Sequence, residues 1–238
     1  MTSQVDPRGT ERARRLGQTA ALFVAPWCFV LSNAGYAWTA RHGTSDMTAK
    51  GALGIAAAYP SLGKWSTFAA LVGSLLLVPA VLGAMSLLRV KATRLGLVAG
   101  ALVISGYICY FGLVFQDLST TAIGQHGGAT TANVALLDAS QNQPLYVGTA
   151  LTFVLGNIVG TFLLGVALFR ARVVPRWAAV CVMAWPVAHI VGGNVGEVVG
   201  SAIEAVGLAA VGVQVLRGRR VVAEPAPSTV TTAAATGS

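Results

Sequence analysis

The chain has 238 residues, of which 55% are hydrophobic and only 10% charged, against roughly 25% charged in an ordinary soluble domain. A globule of this length cannot bury so much apolar surface and a disordered chain is never this hydrophobic, so a polytopic membrane protein remains. Its 16 Lys and Arg against 8 Asp and Glu leave a net charge of +8, and the placement of those charges decides what they mean.

Residues 1–16 form a basic segment carrying Arg8, Arg12, Arg14 and Arg15. Six apolar stretches follow, at about 17–40, 66–88, 95–116, 145–169, 174–193 and 197–216, each near the ~20 residues that cross a bilayer as a helix. The fold class expected is therefore all-α, a six-helix transmembrane bundle over 17–216. A short GGNVGE turn separates the last two stretches, which reads as a tight helical hairpin. The first stretch, arginines followed by an apolar run and Ala37-Trp38-Thr39-Ala40, also has the ingredients of a cleaved signal peptide. The run is too long for a signal h-region, and a retained first helix is the preferred reading.

Between the stretches lie two long connections. Residues 41–65 contain Ser45-Asp46 as a helix cap, an apolar segment with Ala56, Ala57, Ala58 and Tyr59, and Pro60 to end it, which predicts a short interfacial helix. Residues 117–143 carry no Lys or Arg and are rich in Thr, Gly, Ala and Gln, with a helical turn expected around 132–138. That connection reads as a lid or a mobile loop. Residues 217–238, Ala-, Thr- and Pro-rich after Val221, read as a disordered tail.

The basic residues set the orientation. Four precede the first span; Arg89, Lys91 and Arg94 join the second to the third; Arg170, Arg172 and Arg176 join the fourth to the fifth; Arg217, Arg219 and Arg220 follow the sixth, so thirteen of sixteen fall on one side. Only Arg41, Lys50 and Lys64 fall on the other. By the positive-inside rule both termini are cytoplasmic in a multi-pass protein of the cell inner (plasma) membrane. The charges then serve orientation and lipid headgroup contact, and nucleic acid is not a partner. Cys28, Cys109 and Cys181 lie inside apolar segments with no CxxC pair and read as small packing residues. Trp38, Trp65, Tyr146 and Trp177 sit at span boundaries, as interfacial rings do. Gly148, Thr152, Gly156 and Gly160 repeat at a spacing of four, and Gly96/Gly100 and Gly196/Gly200 add further small faces. Such faces pack helices within the chain or in a homo-oligomer.

An ionisable residue inside a span is a functional-site hypothesis by default. Glu204 lies seven residues into the sixth span, roughly 10 Å deep, with Glu197 and Ser201 on its face. His189 lies about a turn below the outer end of the fifth span, on the stripe of Trp185, and Asn194 is in the connecting turn. Glu204 and His189 are the candidate catalytic pair, since a His near a Glu supplies the parts of a proton transfer. They are equally the parts of a structural hydrogen bond. Asn194, Glu197, Tyr110, Asp117, Trp185 and Asn33 are the candidate ligand-binding residues. Tyr107 and Gln116 share the third span with Tyr110, while Asn157, beside Gly156, reads as helix–helix glue. This polar set is biased outward and predicts a cavity opening outward under the two long connections.

No GxxxxGK[ST] loop, GxGxxG turn or HExxH helix is present. No metal site and no cofactor are expected. From Gly156 the chain reads GNIVGTFLLGVALFRARVVPRWAAV, with Arg170, Arg172, Pro175, Arg176 and Trp177 forming a basic turn after a Gly-rich helix. This resembles the uncharacterised DUF4386-like group of six-helix membrane proteins from high-GC actinobacteria, over about residues 156–216. The resemblance implies six helices and no particular chemistry. Three functions stay open. The protein binds or moves a small apolar or amphiphilic molecule through an outward-facing pocket. Alternatively it is an intramembrane acid/base enzyme, an isomerase or cyclase, on a lipid-like substrate. Or it is an accessory subunit without chemistry of its own.

Overall fold

The structure, a computed structural model, describes residues 7–42 and 48–218. Every element among them is helical. The long helices are α1 (Pro7–His42), α3 (Pro60–Leu88), α4 (Thr93–Gly127) and α8 (Arg176–Leu216), with α6 (Pro144–Val154) and α7 (Thr161–Ala171) joined end to end. Five helical segments are long and apolar enough to cross a membrane, the fourth being the joined unit Pro144–Ala171. The chain is thus an apolar helical bundle of the multi-pass membrane type.

The fifth segment is not one rod. Gly193 has φ 52° and ψ −151°, a conformation essentially reserved for glycine. The chain turns back on itself there. A Cβ on Gly200 would touch Ala188 and Trp185, and one on Gly207 would lie 2.7 Å from the carbonyl oxygen of Ala178. In a straight helix Ala178 and Gly207 would stand about 43 Å apart at 1.5 Å per residue. Residues 176–192 and 194–216 are therefore two antiparallel arms, and Gly196, Gly200 and Gly207 are the positions that let them approach.

The other glycine faces are also spent within the chain. Gly96 and Gly100 abut Leu88 and Met85 of α3, and Gly106 of α4 meets Gly156, where an added Cβ would lie 2.8 Å from the Gly156 Cα. The four-residue stripe expected in the fourth span is broken. Gly156 and Gly160 are buried against α4, but Gly148 and Thr152 are exposed. The reason is a π-helical stretch, Leu155–Gly160, between α6 and α7. Its wider turn shifts the rotational phase of the helix, so residues within it face different neighbours from those before it.

The core runs through the whole bundle. Leu22 and Ala25 of α1, Ala84 of α3, Ala99 of α4, Ala167 and Leu168 of α7, and Ala178, Val182 and Val211 of α8 are fully enclosed. Helix α1 packs on the second arm of α8, where the Thr19 hydroxyl donates to the Gly212 carbonyl at 3.3 Å. At the basic end, Arg172 closes α7 in the left-handed conformation (φ 54°), and the Arg176 guanidinium lies 5.7 Å from the centre of the Phe169 ring.

Both long connections are helical. The short helix expected in the first is α2 (Ala49–Ala58). Its cap is Thr48, whose hydroxyl accepts from the Gly51 N–H at 3.1 Å. Ser45 and Asp46, the expected cap, lie outside the described residues, as do 219–238 of the tail. Pro60 both ends α2 and occupies the first turn of α3, which starts six residues before the predicted span. A proline there loses nothing, because first-turn N–H groups have no intrahelical acceptor. The second connection is not a loose loop. Helix α4 continues to Gly127, and α5 (Thr131–Gln141) follows, capped by Thr130. Ala49 and Leu53 of α2 bury Leu137 of α5 in a small separate cluster, and Gly124 of α4 seats against Leu53 and Ala56. The helices α2 and α5 thus form a cap on the extended end of α4.

Candidate functional site

The site is built around the π-helical stretch. Asn157 is only 4% exposed there. Its Oδ1 accepts from the Trp185 indole Nε1 at 3.0 Å and from the Tyr107 Oη at 2.9 Å. An indole N–H can only donate, so the amide orientation is settled by its partner. The three side chains tie α4, the π-helical stretch and the first arm of α8 together. Tyr107 and Trp185 are each 6% exposed. A buried donor pair with one shared acceptor makes Asn157 the polar hinge of the bundle interior.

Aromatic rings surround this node. Tyr107 lies 5.1 Å from Phe29 of α1 and 5.9 Å from Phe153 of α6, centre to centre. Tyr110 stacks on Phe153 at 4.3 Å, with a 19° interplanar angle. Tyr107 and Tyr110 meet edge-on at 6.0 Å. These contacts match the offset and edge-to-face arrangements that ring quadrupoles favour.

Acidic groups lie on the same helices. Glu204 is half-buried on the second arm of α8, Glu197 is half-buried one turn past the Gly193 bend, and Asp117 is exposed two turns beyond Tyr110 on α4. Among the described residues, no Lys or Arg pairs with Glu204 or Asp117. His189 Nδ1 lies 3.3 Å from Glu197 Oε1, but the alignment is too poor for a hydrogen bond, and that nitrogen is buried without an acceptor. The His189 ring sits 5.2 Å from the Trp185 ring. His189 therefore meets Glu197 across the hairpin, and Glu204 stands a further two turns along the second arm.

Of the predicted site residues, Trp185, His189 and Glu197 follow one another across the α8 hairpin and Tyr110 joins the rings around Tyr107, while Asp117 stands two turns further along α4 and Glu204 lies less than one turn from the Gly207–Ala178 contact, nearer the basic end. Asn33 is half-buried one turn beyond Phe29 on α1, on the face that Phe29 turns toward Tyr110. Asn194 is exposed beside the Gly193 bend and joins no contact in the cluster. Sequence reasoning missed Phe29 and Phe153, which look like any lipid-facing phenylalanine until the helices are assembled. Asn157, read from the sequence as helix–helix glue, takes that role here, and only its partners Tyr107 and Trp185 needed the structure. The signal for that role was an amide set between glycines in an apolar run.

The outward cavity is a different matter. One cleft of about 510 Å³ opens at the basic end, between α1, α3 and the start of α4. Another, of about 320 Å³, lies between α4 and α5, lined by Phe115, Gln116, Leu136 and Ser140 among others. Neither reaches Glu204. Among the described residues, no three His, Cys, Asp or Glu side chains are grouped to hold a metal ion. No family model, curated protein or solved structure matches this chain. The resemblance to the DUF4386-like group thus rests on the quoted residues alone.

Proposed function

We propose that this is an inner-membrane protein of six crossings with both termini cytoplasmic, and that its outer half binds an amphiphilic organic cation among the rings and carboxylates. Three observations support the topology. The α8 arms are antiparallel, the Gly193 bend sits between them, and among the described residues eleven of the basic ones, from Arg8 to Arg217, fall at or beside the helix ends of one side. The binding reading rests chiefly on one observation, four aromatic rings clustered in the bundle, on helices whose acids Glu204 and Asp117 have no basic side chain paired to them among the described residues. Ring faces and carboxylates both attract a cation, and an apolar body suits the ring lining. Entry requires the Tyr110–Phe153 stack to part. The His189–Glu197 approach favours a second reading, in which the same end exchanges protons with a lipid-like substrate.

The test uses tetraphenylphosphonium as the probe and triphenylphosphine oxide, uncharged, as its comparison, with purified protein in detergent and intrinsic tryptophan fluorescence as the readout. The phosphonium is expected to bind, and Glu204→Gln to weaken it at least about tenfold, the scale of losing one desolvated charge partner. Equal affinity for the two compounds removes the cation reading. Reporter fusions after residues 43, 90, 128, 173, 193 and 218 should alternate outside and inside, beginning outside; two successive sites on one side would sink the six-crossing topology.

A further inference from the structure

The cleft at the basic end has no part in the site just described. It is lined on α1 by Arg14, Gly17 and Gln18, on α3 by residues from Pro79 to Arg89, and on α4 by Thr93, Gly96 and Leu97. Its wall is apolar over most of its length, with Leu82, Met85, Leu88 and Leu97 contributing. Its mouth is cationic. The Arg89 guanidinium makes no hydrogen bond or ion pair among the described residues, its carbonyl alone accepting from the Thr93 hydroxyl at 2.6 Å, whereas the Arg14 guanidinium is engaged by Glu11 at 2.8 Å. Pro79 and Arg89 are ten residues apart on α3, about 15 Å of helix, which is the hydrocarbon depth of one leaflet. The groove is therefore as deep as a lipid acyl chain is long, with a guanidinium at headgroup level.

One further group points to an occupant. Gln18 is 7% exposed, lines the groove one turn below Arg14, and its Oε1 has no hydrogen-bond partner. An orphaned buried carbonyl of this kind is rare and costly. It needs a donor, which a phosphate diester cannot supply and a headgroup hydroxyl can. We propose that this groove is a binding site for an anionic phospholipid with a hydroxylated headgroup, of the phosphatidylglycerol type, with its phosphate on Arg89, a hydroxyl on Gln18 and an acyl chain along α3. Basic pockets between transmembrane helices on the cytoplasmic side suit such headgroups. The site shares with the function proposed above only its orientation, and its lining includes none of the aromatic and acidic residues placed there.

Gly17 makes the proposal testable without disturbing the fold. A Cβ there meets nothing within 4 Å, although the residue lines the groove, so Gly17→Leu fills the cleft and adds helix propensity. The experiment reconstitutes delipidated protein into vesicles of phosphatidylglycerol and phosphatidylcholine at equal amounts, then counts bound lipids by native mass spectrometry after extraction into detergent. Wild type should retain phosphatidylglycerol over phosphatidylcholine. Arg89→Ala should cut that preference about fivefold, the effect of one interfacial arginine, and Gly17→Leu should abolish it. Equal retention of the two lipids by wild type overturns the proposal. So does a preference that survives Gly17→Leu, which would place the lipid on the arginine surface and not in the groove. A preference lost in Gly17→Leu but untouched in Arg89→Ala overturns the headgroup assignment. Topology is read independently by the reporter fusions, so a failed lipid test and a failed topology are separable.

Discussion

Replacing Asn157 with leucine keeps roughly the same volume but removes the acceptor shared by Tyr107 and Trp185. Two buried donors are then stranded. Interhelical hydrogen bonds in membranes average about 0.6 kcal/mol and reach about 1.7, so losing two in a closed site should cost about 1–3 kcal/mol. Tyr107→Phe removes one donor and leaves Asn157 still paired with Trp185, so it should cost less, about 0.5–1 kcal/mol. The informative quantity is the coupling. In the double variant the phenylalanine deletes one of the two donors that the leucine strands. The combined loss should therefore fall short of the sum by about 1 kcal/mol. Reversible unfolding in mixed micelles, titrated with a denaturing detergent and followed by circular dichroism, measures all four corners of the cycle. If the two losses add to within about 0.3 kcal/mol, as independent sites do, the shared acceptor contributes nothing measurable and the reasoning fails.

Other expectations follow from backbone and packing. Gly193→Ala forces a Cβ into a conformation with φ 52° and ψ −151° and should lower stability by about 1–3 kcal/mol, while Gly192→Ala, with open space around it, should be neutral or slightly stabilising in the same unfolding assay. Gly106→Ala would press a methyl 2.8 Å from the Gly156 Cα and should cost about 1–3 kcal/mol by overpacking; the same substitution at Gly148, which faces open space, should not, and equal losses at both would contradict the phase shift assigned to the π-helical stretch. A cysteine at Leu137 should resist a membrane-impermeant maleimide far longer than one at Leu136, because Leu137 is enclosed by α2 and Leu136 is 61% exposed. Equal labelling rates would mean that the α2–α5 cap does not form.

The sequence alone settled the class of the molecule. Hydrophobic content, stretch length and Pro60 are local properties, and they suffice to define apolar helices and one short interfacial helix. The hairpin between the last two stretches was legible as well, because Gly192-Gly193-Asn194 is a turn signal whatever packs around it. What needed the tertiary structure was rotation about each helix axis and the identity of neighbours. Gly148 and Gly156 are indistinguishable in a four-residue stripe, yet Gly148 lies in α6 and is exposed while Gly156 lies within the π-helical stretch and is set onto Gly106. Phe29, Phe153 and Tyr110 come from three helices and meet only when those helices are assembled. The hairpin offered His189 both Glu197 and Glu204 as neighbours, and the antiparallel register of the α8 arms is what brings it within 3.3 Å of Glu197. The physical reason is common to all three. Spans are selected by burial in lipid, which is nearly blind to helix rotation, whereas sites are selected by close packing, which depends on rotation and register.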